Sequence, residues 1–100
     1  MNYIIGDIGN TSTRICLLNK SKILKSIVID TNKIFLKGYI KKIINKLNKE
    51  NLKKELLFSC VVPLALKEVK KILKQTNFKV LEIKSLNLKK LIKINIKNLN

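Results

Sequence analysis

The stretch Asp7-Ile8-Gly9-Asn10-Thr11-Ser12-Thr13-Arg14 separates two short apolar runs, Tyr3-Ile4-Ile5 and Ile15-Cys16-Leu17-Leu18. No other feature restricts the fold of the chain as much. Apolar runs on either side of a polar, glycine-bearing turn predict a β-hairpin, with strands over 2–7 and 13–19. Gly9 is expected to use dihedrals that a side chain would forbid. The hairpin brings a carboxylate, three consecutive hydroxyls (Thr11, Ser12, Thr13) and main-chain N–H groups to one turn. Such donors converge on anions, as peptide nests do. Asp7 stands where it could hold the water shell of a magnesium ion bridging nucleotide phosphates. The segment reads as a phosphate-handling loop. Its competitor is an ordinary hairpin turn, in which Asp, Gly and Asn only satisfy turn geometry.

Beyond the hairpin, Asn19-Lys20-Ser21-Lys22 is a polar turn, and the β-branched run 23–29 predicts a third strand. Asp30 or Thr31 can cap a helix from about 32 to 48. Its apolar residues Leu36, Tyr39, Ile40, Ile43, Ile44 and Leu47 share one face. Gly38 falls inside that helix at a cost of about 1 kcal/mol relative to alanine, for no reason visible in the sequence. Residues 56–61 form a nearly continuous apolar run, as in a strand covered on both faces. Pro63 suits the first turn of a helix over about 63–76, with Ala65, Val69, Ile72 and Leu73 inward and Asn77 ending it. A strand over 78–83, a helical turn at 86–91 and a last strand at 92–96 complete the reading. The order β-β-β-α-β-α-β predicts an α/β fold whose mixed sheet carries helices on its faces.

One hundred residues make one small domain, able to bury roughly two-thirds of its unfolded surface. No apolar run approaches the ~20 residues of a membrane-spanning helix, and Met1-Asn2-Tyr3 lacks a basic leader, so a cytoplasmic location is expected. Cys16 and Cys60 have no C-x-x-C spacing, and there is no histidine to complete a metal site; both read as buried thiols without chemistry. The net charge of +16 raises the question of nucleic acid. Yet Arg14 is the single arginine among 22 basic residues, and only five aromatics occur. Base readers lean on arginine, and single-strand binders interleave aromatics. The charge reads mainly as solubilising, with nonspecific affinity for polyanions at low salt.

Asp-Ile-Gly-Asn-Thr directly after an N-terminal strand resembles the first phosphate loop of the acetate and sugar kinase, heat-shock ATPase and actin superfamily. Within it, the chain most resembles type III pantothenate kinase. A second block agrees: Phe58-Ser59-Cys60-Val61-Val62-Pro63 is similar to that family's Ser-Ser-Val-Val-Pro segment. Ile94-Asn95-Ile96-Lys97-Asn98 resembles the segment leading into its Gly-x-Asp-Arg motif. The resemblance implies half of an actin-like, ribonuclease H-like ATPase fold. It also implies ATP-dependent phosphorylation of pantothenate to 4'-phosphopantothenate, in coenzyme A synthesis. Asp7, Ile8, Gly9, Asn10, Thr11, Ser12, Thr13 and Arg14 would then meet the ATP phosphates, with Asp7 orienting water on Mg2+. Rival phosphate motifs, G-x-x-x-x-G-K-[ST] and G-x-G-x-x-G, are absent.

The family's Gly-x-Asp-Arg aspartate, second phosphate motif, adenosine motif and monovalent-cation (K+ or NH4+) site have no counterpart in these 100 residues. Ile96 falls where the family often carries a substrate-contacting tyrosine, and Cys60 replaces the second serine of its block. The remaining carboxylates, Asp30, Glu50, Glu55, Glu68 and Glu82, lie at predicted element edges or helix surfaces, so no catalytic residue is assigned. Residues 1–100 thus read as the N-terminal domain of a two-domain kinase, truncated, split or partial, and inactive alone. ATP and pantothenate are its expected partners, and a homodimer is expected of the full-length family. The alternative is a non-catalytic remnant, or a basic module binding a partner or nucleic acid.

Overall fold

The chain's computed structural model describes residues 1–20, 22–48 and 50–84. Three strands come first: β1 (Asn2–Ile8), β2 (Ser12–Asn19) and β3 (Lys22–Asp30). A 3-10 helix (Thr31–Phe35) and α1 (Tyr39–Leu47) follow, then β4 (Glu55–Cys60), α2 (Pro63–Lys74) and β5 (Lys79–Glu82). The sheet order is β3-β2-β1-β4-β5. β2 runs antiparallel to both neighbours, while β1–β4 and β4–β5 are parallel. The mixed α/β sheet expected from the sequence is therefore present, with β1 at its centre. The expected helical turn at 86–91 and strand at 92–96 lie outside the described residues.

Strand alternation sorts the residues onto two faces. Ile4, Ile8, Ile15, Leu17, Ile29, Leu56 and Phe58 share the main core with Ile40, Ile43, Ile44 and Leu47 of α1 and Ala65, Leu66, Val69 and Leu73 of α2. Ile5, Cys16 and Leu18 form a smaller cluster on the other face. Among the described residues, both helices pack on the first face. At nine residues α1 is too short to persist alone in water. Its four buried side chains, each contributing about 1.5–3 kcal/mol on burial, hold it in place.

The predicted helix over 32–48 is in fact two pieces. The 3-10 turn ends after Phe35, and α1 begins only after Gly38, which sits at its N-cap in the left-handed region with φ 76°. Gly38 is thus the break between two elements. Leu36, placed on the buried face by periodicity, is 54% exposed, while Ile34 in the 3-10 turn is fully buried. α2 starts with Pro63 at its first turn, as expected. Asn77 takes a positive φ of 64° just beyond its end, where the Phe78 N–H donates back to the Leu73 carbonyl at 3.2 Å. Ile72, expected inward, is only partly buried.

Gly6 has a role the sequence did not announce. It lies beside Phe58 in the parallel β1–β4 register, and any Cβ there would overlap the Phe58 ring. The bare backbone at position 6 gives that ring its seat.

Candidate functional site

The Asp7–Arg14 hairpin lies between the C-terminal end of the central strand and the start of β2. Val61, just past β4, donates its N–H to the Ile8 carbonyl at 3.0 Å, which brings the start of α2 beside the loop. The turn closes with the Gly9 N–H donating to the Ser12 carbonyl at 3.0 Å. Two-residue hairpins usually need positive φ at their central residues. Neither Asn10 nor Thr11 has one. The Gly9 and Thr11 carbonyls are instead taken by Thr31: its hydroxyl donates to Gly9 O at 2.7 Å and its N–H to Thr11 O at 2.9 Å.

Thr31 is buried, and its hydroxyl also meets that of Thr13 at 2.9 Å. A carbonyl can only accept, so the single Thr31 proton goes to Gly9 and Thr13 must donate to Thr31. The relay runs Thr13 to Thr31 to Gly9. It ties the loop carbonyls to the body of the domain. Among the described residues, no acceptor meets the N–H groups of Asn10 or Thr11, and both residues are exposed. With the Gly9 and Thr11 carbonyls bound to Thr31, the Asn10 and Thr11 N–H groups are left without a partner among the described residues.

The expected site residues divide accordingly. Asn10, Thr11 and Ser12 are exposed and can offer amide and hydroxyl groups outward. The Ile8 side chain is fully buried in the main core, leaving only its main chain at the loop. The Thr13 hydroxyl, expected among the outward donors, is buried and spends its proton on Thr31. Gly9 does not use the left-handed region; among the described residues, positive φ falls at Lys20, Gly38, Asn51 and Asn77. What excludes a side chain there is close approach, because a Cβ would stand 2.9 Å from the Ser12 carbonyl oxygen.

Asp7, half-buried, is flanked on one sheet face by Arg14 across the antiparallel register and by Ser59 across the parallel one. Ser59 is fully buried and its hydroxyl donates to Asp7 Oδ1 at 2.6 Å. That length is typical of a charge-assisted O–H···O bond. Among the described residues, no donor is recorded at Asp7 Oδ2. Arg14 is exposed on the same face as Asp7. Cys60 turns to local structure: its Sγ accepts from the Val62 N–H at 3.1 Å and its S–H donates to the Val62 carbonyl at 2.9 Å. Cys16 and Cys60 are free thiols on opposite faces of the sheet. Thr31 was legible in the sequence only as a possible helix cap, and nothing local marked its bonds to the loop.

A five-stranded 3-2-1-4-5 sheet, with β2 alone reversed and crossover helices after β3 and β4, is the architecture of half an actin-like ATPase fold. The sequence profile described as type III pantothenate kinase matches residues 3–100, and the chain belongs to that family. A type III pantothenate kinase from Pelagibacter ubique (strain HTCC1062) is 41% identical over 95 residues, covering 93% of this chain and 38% of that protein. The chain therefore spans well under half the length of this relative. Among solved structures, one from a structural study of the Aquifex aeolicus PPX-GPPA enzyme overlaps 84% of this chain and 36% of its own, with a TM-score of 0.43 and 17% identity.

Proposed function

We propose that this chain supplies the first phosphate-binding loop of an ATP-dependent pantothenate kinase acting in the cytoplasm. The observation that carries the reading is the hairpin itself. Its Gly9 and Thr11 carbonyls are bound to Thr31, its Asn10 and Thr11 amides have no partner among the described residues, and Asp7 is held at its base by Ser59. The ATP phosphates would lie against Asn10, Thr11 and Ser12, with Gly9 permitting close approach and Arg14 adding positive charge.

The donor set suits Mg2+. A single carboxylate, its Oδ2 without a donor among the described residues, fits an ion that keeps most of its waters and is held by one or two carboxylates plus substrate phosphates. Among the described residues, no cluster of three or more His, Cys, Asp or Glu forms an all-protein cage. Bound there through water, Mg2+ would neutralise charge on the phosphates. Phosphoryl transfer also needs a positioned acceptor and a base. This reading assigns both, with the adenosine contacts, the monovalent-cation site and the family's dimer contact, to a second domain outside residues 1–100.

The test joins this chain to the remainder of the Pelagibacter relative and measures pantothenate-dependent ADP release. Activity lost by at least 100-fold on Asp7→Ala is the expected result. Activity indifferent to that substitution would remove Asp7 from the site.

A further inference from the structure

Asp7 has two neighbours in its row of the sheet, and they compete for it. Arg14 lies directly across the antiparallel β1–β2 register. Opposed cross-strand residues have Cβ atoms about 4.5–5.5 Å apart, and opposite charges so placed attract. A guanidinium can take a carboxylate through two parallel hydrogen bonds. Nevertheless the ion pair recorded among the described residues is Lys53–Glu55, and Asp7 and Arg14 form none. The Asp7 carboxylate is bonded on the other side, to Ser59. Ser59 is fully buried, and Asp7 is the recorded partner of its hydroxyl. Breaking this contact would leave a buried hydroxyl unpaired, a cost that holds the bond in place.

We propose that Ser59 is a positioning residue for Asp7: its hydroxyl holds the carboxylate on the β4 side and keeps it out of an ion pair with Arg14. Both charged groups then stay separately available at the mouth of the loop, the carboxylate for water on a cation and the guanidinium for an anion. The inference rests on the reading of Asp7 as the group that meets metal-bound water. It gives a chemical task to the serine of the second sequence block, which motif matching alone left without one. Cys60, one position on, points its thiol into the turn and cannot substitute for it.

The test uses the full chain and two readouts. The first is solvent exchange of the Arg14 Nε–H, followed by NMR. Ser59→Ala is expected to slow it at least threefold as the Asp7–Arg14 pair forms, and adding Asp7→Asn is expected to restore the original rate. Ser59→Thr keeps the hydroxyl and is expected to exchange as the parent does. If Ser59→Ala does not fold at 25 °C, the same comparison is made at 5 °C, and Ser59→Cys, a weak donor of similar size, is expected to fall between Ser59→Ala and the parent. Exchange unchanged in the alanine variant overturns the proposal. The second readout is the Mn2+ concentration that half-saturates binding in the presence of ATP. Ser59→Ala is expected to raise it at least threefold with Arg14 present and less than 1.5-fold in an Arg14→Gln background; an equal effect in both backgrounds overturns the proposal. Mn2+–ATP binding indifferent to Asp7→Asn would instead sink the reading of the loop as a phosphate site, while the exchange measurement still decides on Ser59.

Discussion

Gly6 and Gly38 are both intolerant of a side chain, for unrelated reasons. At position 6 the backbone conformation is ordinary strand, but the Phe58 ring occupies the space a Cβ would need. Gly6→Ala is therefore expected to destabilise the fold by about 1–3 kcal/mol, the usual cost of overpacking a core. Pairing it with Phe58→Leu should recover part of that loss, and urea unfolding of the two variants checks it. At position 38 an added Cβ would meet nothing within 4 Å, yet φ is +76°. Gly38→Ala is expected to cost about 1–2 kcal/mol through the dihedral alone. Gly38→Asn should cost less, since asparagine tolerates that region, and no core substitution should rescue either. Equal rescue of both glycine variants by a smaller residue at position 58 would refute this division.

The loop between β1 and β2 is held as an element by the start of the next one. Thr31 begins the 3-10 helix that follows β3, and it accepts one hydrogen bond from Thr13 while donating to two loop carbonyls. Thr31→Val would strand the buried Thr13 hydroxyl and the Gly9 carbonyl together, each loss costing about 1–3 kcal/mol. Thr13→Val removes only the first link of the relay, because Thr31 still reaches Gly9. The expected order in urea is therefore a larger loss for Thr31→Val than for Thr13→Val. Faster amide hydrogen exchange at Gly9, whose N–H closes the turn, should accompany the Thr31 substitution. The reverse order would mean that the Thr31 hydroxyl does not hold the loop.

Across the whole molecule, 22 basic residues face six acidic ones, giving the net charge of +16. A single recorded ion pair among the described residues does little to offset it. Among those residues, no helix is long and apolar enough to cross a membrane. Charge of this kind attracts polyanions without reading them. Binding to a labelled 20-nucleotide DNA strand is expected at low salt, and to fall at least 100-fold between 50 and 200 mM NaCl irrespective of sequence. Fluorescence anisotropy measures this directly. Sequence-selective affinity retained at 200 mM would favour the basic-module alternative over a solubilising surface.

Much of the fold was legible in the residues because strand alternation, helix periodicity and turn chemistry are properties of neighbours a few positions apart. The hairpin at Gly9, the start of α2 at Pro63, its end near Asn77 and the mixed α/β class all rest on such local patterns. Periodicity also misled where long-range packing intervened. The apolar spacing ran on from Leu36 to Leu47 as one helix, but the left-handed Gly38 divides it, and Ile34 takes the buried place denied to Leu36. The loop residues were visible as a motif; their division into outward and inward groups was not. Ser59 bonds Asp7 from 52 positions away and Thr31 bonds Gly9 from 22. Sheet order chose those partners by bringing β4 and the end of β3 to the two sides of one turn. Local pattern was enough to say which residues form the hairpin and to which family the motif points. Which hydroxyls face outward, and which are spent holding the loop, was settled by the folded sheet, because no local pattern encodes a partner that arrives through strand pairing.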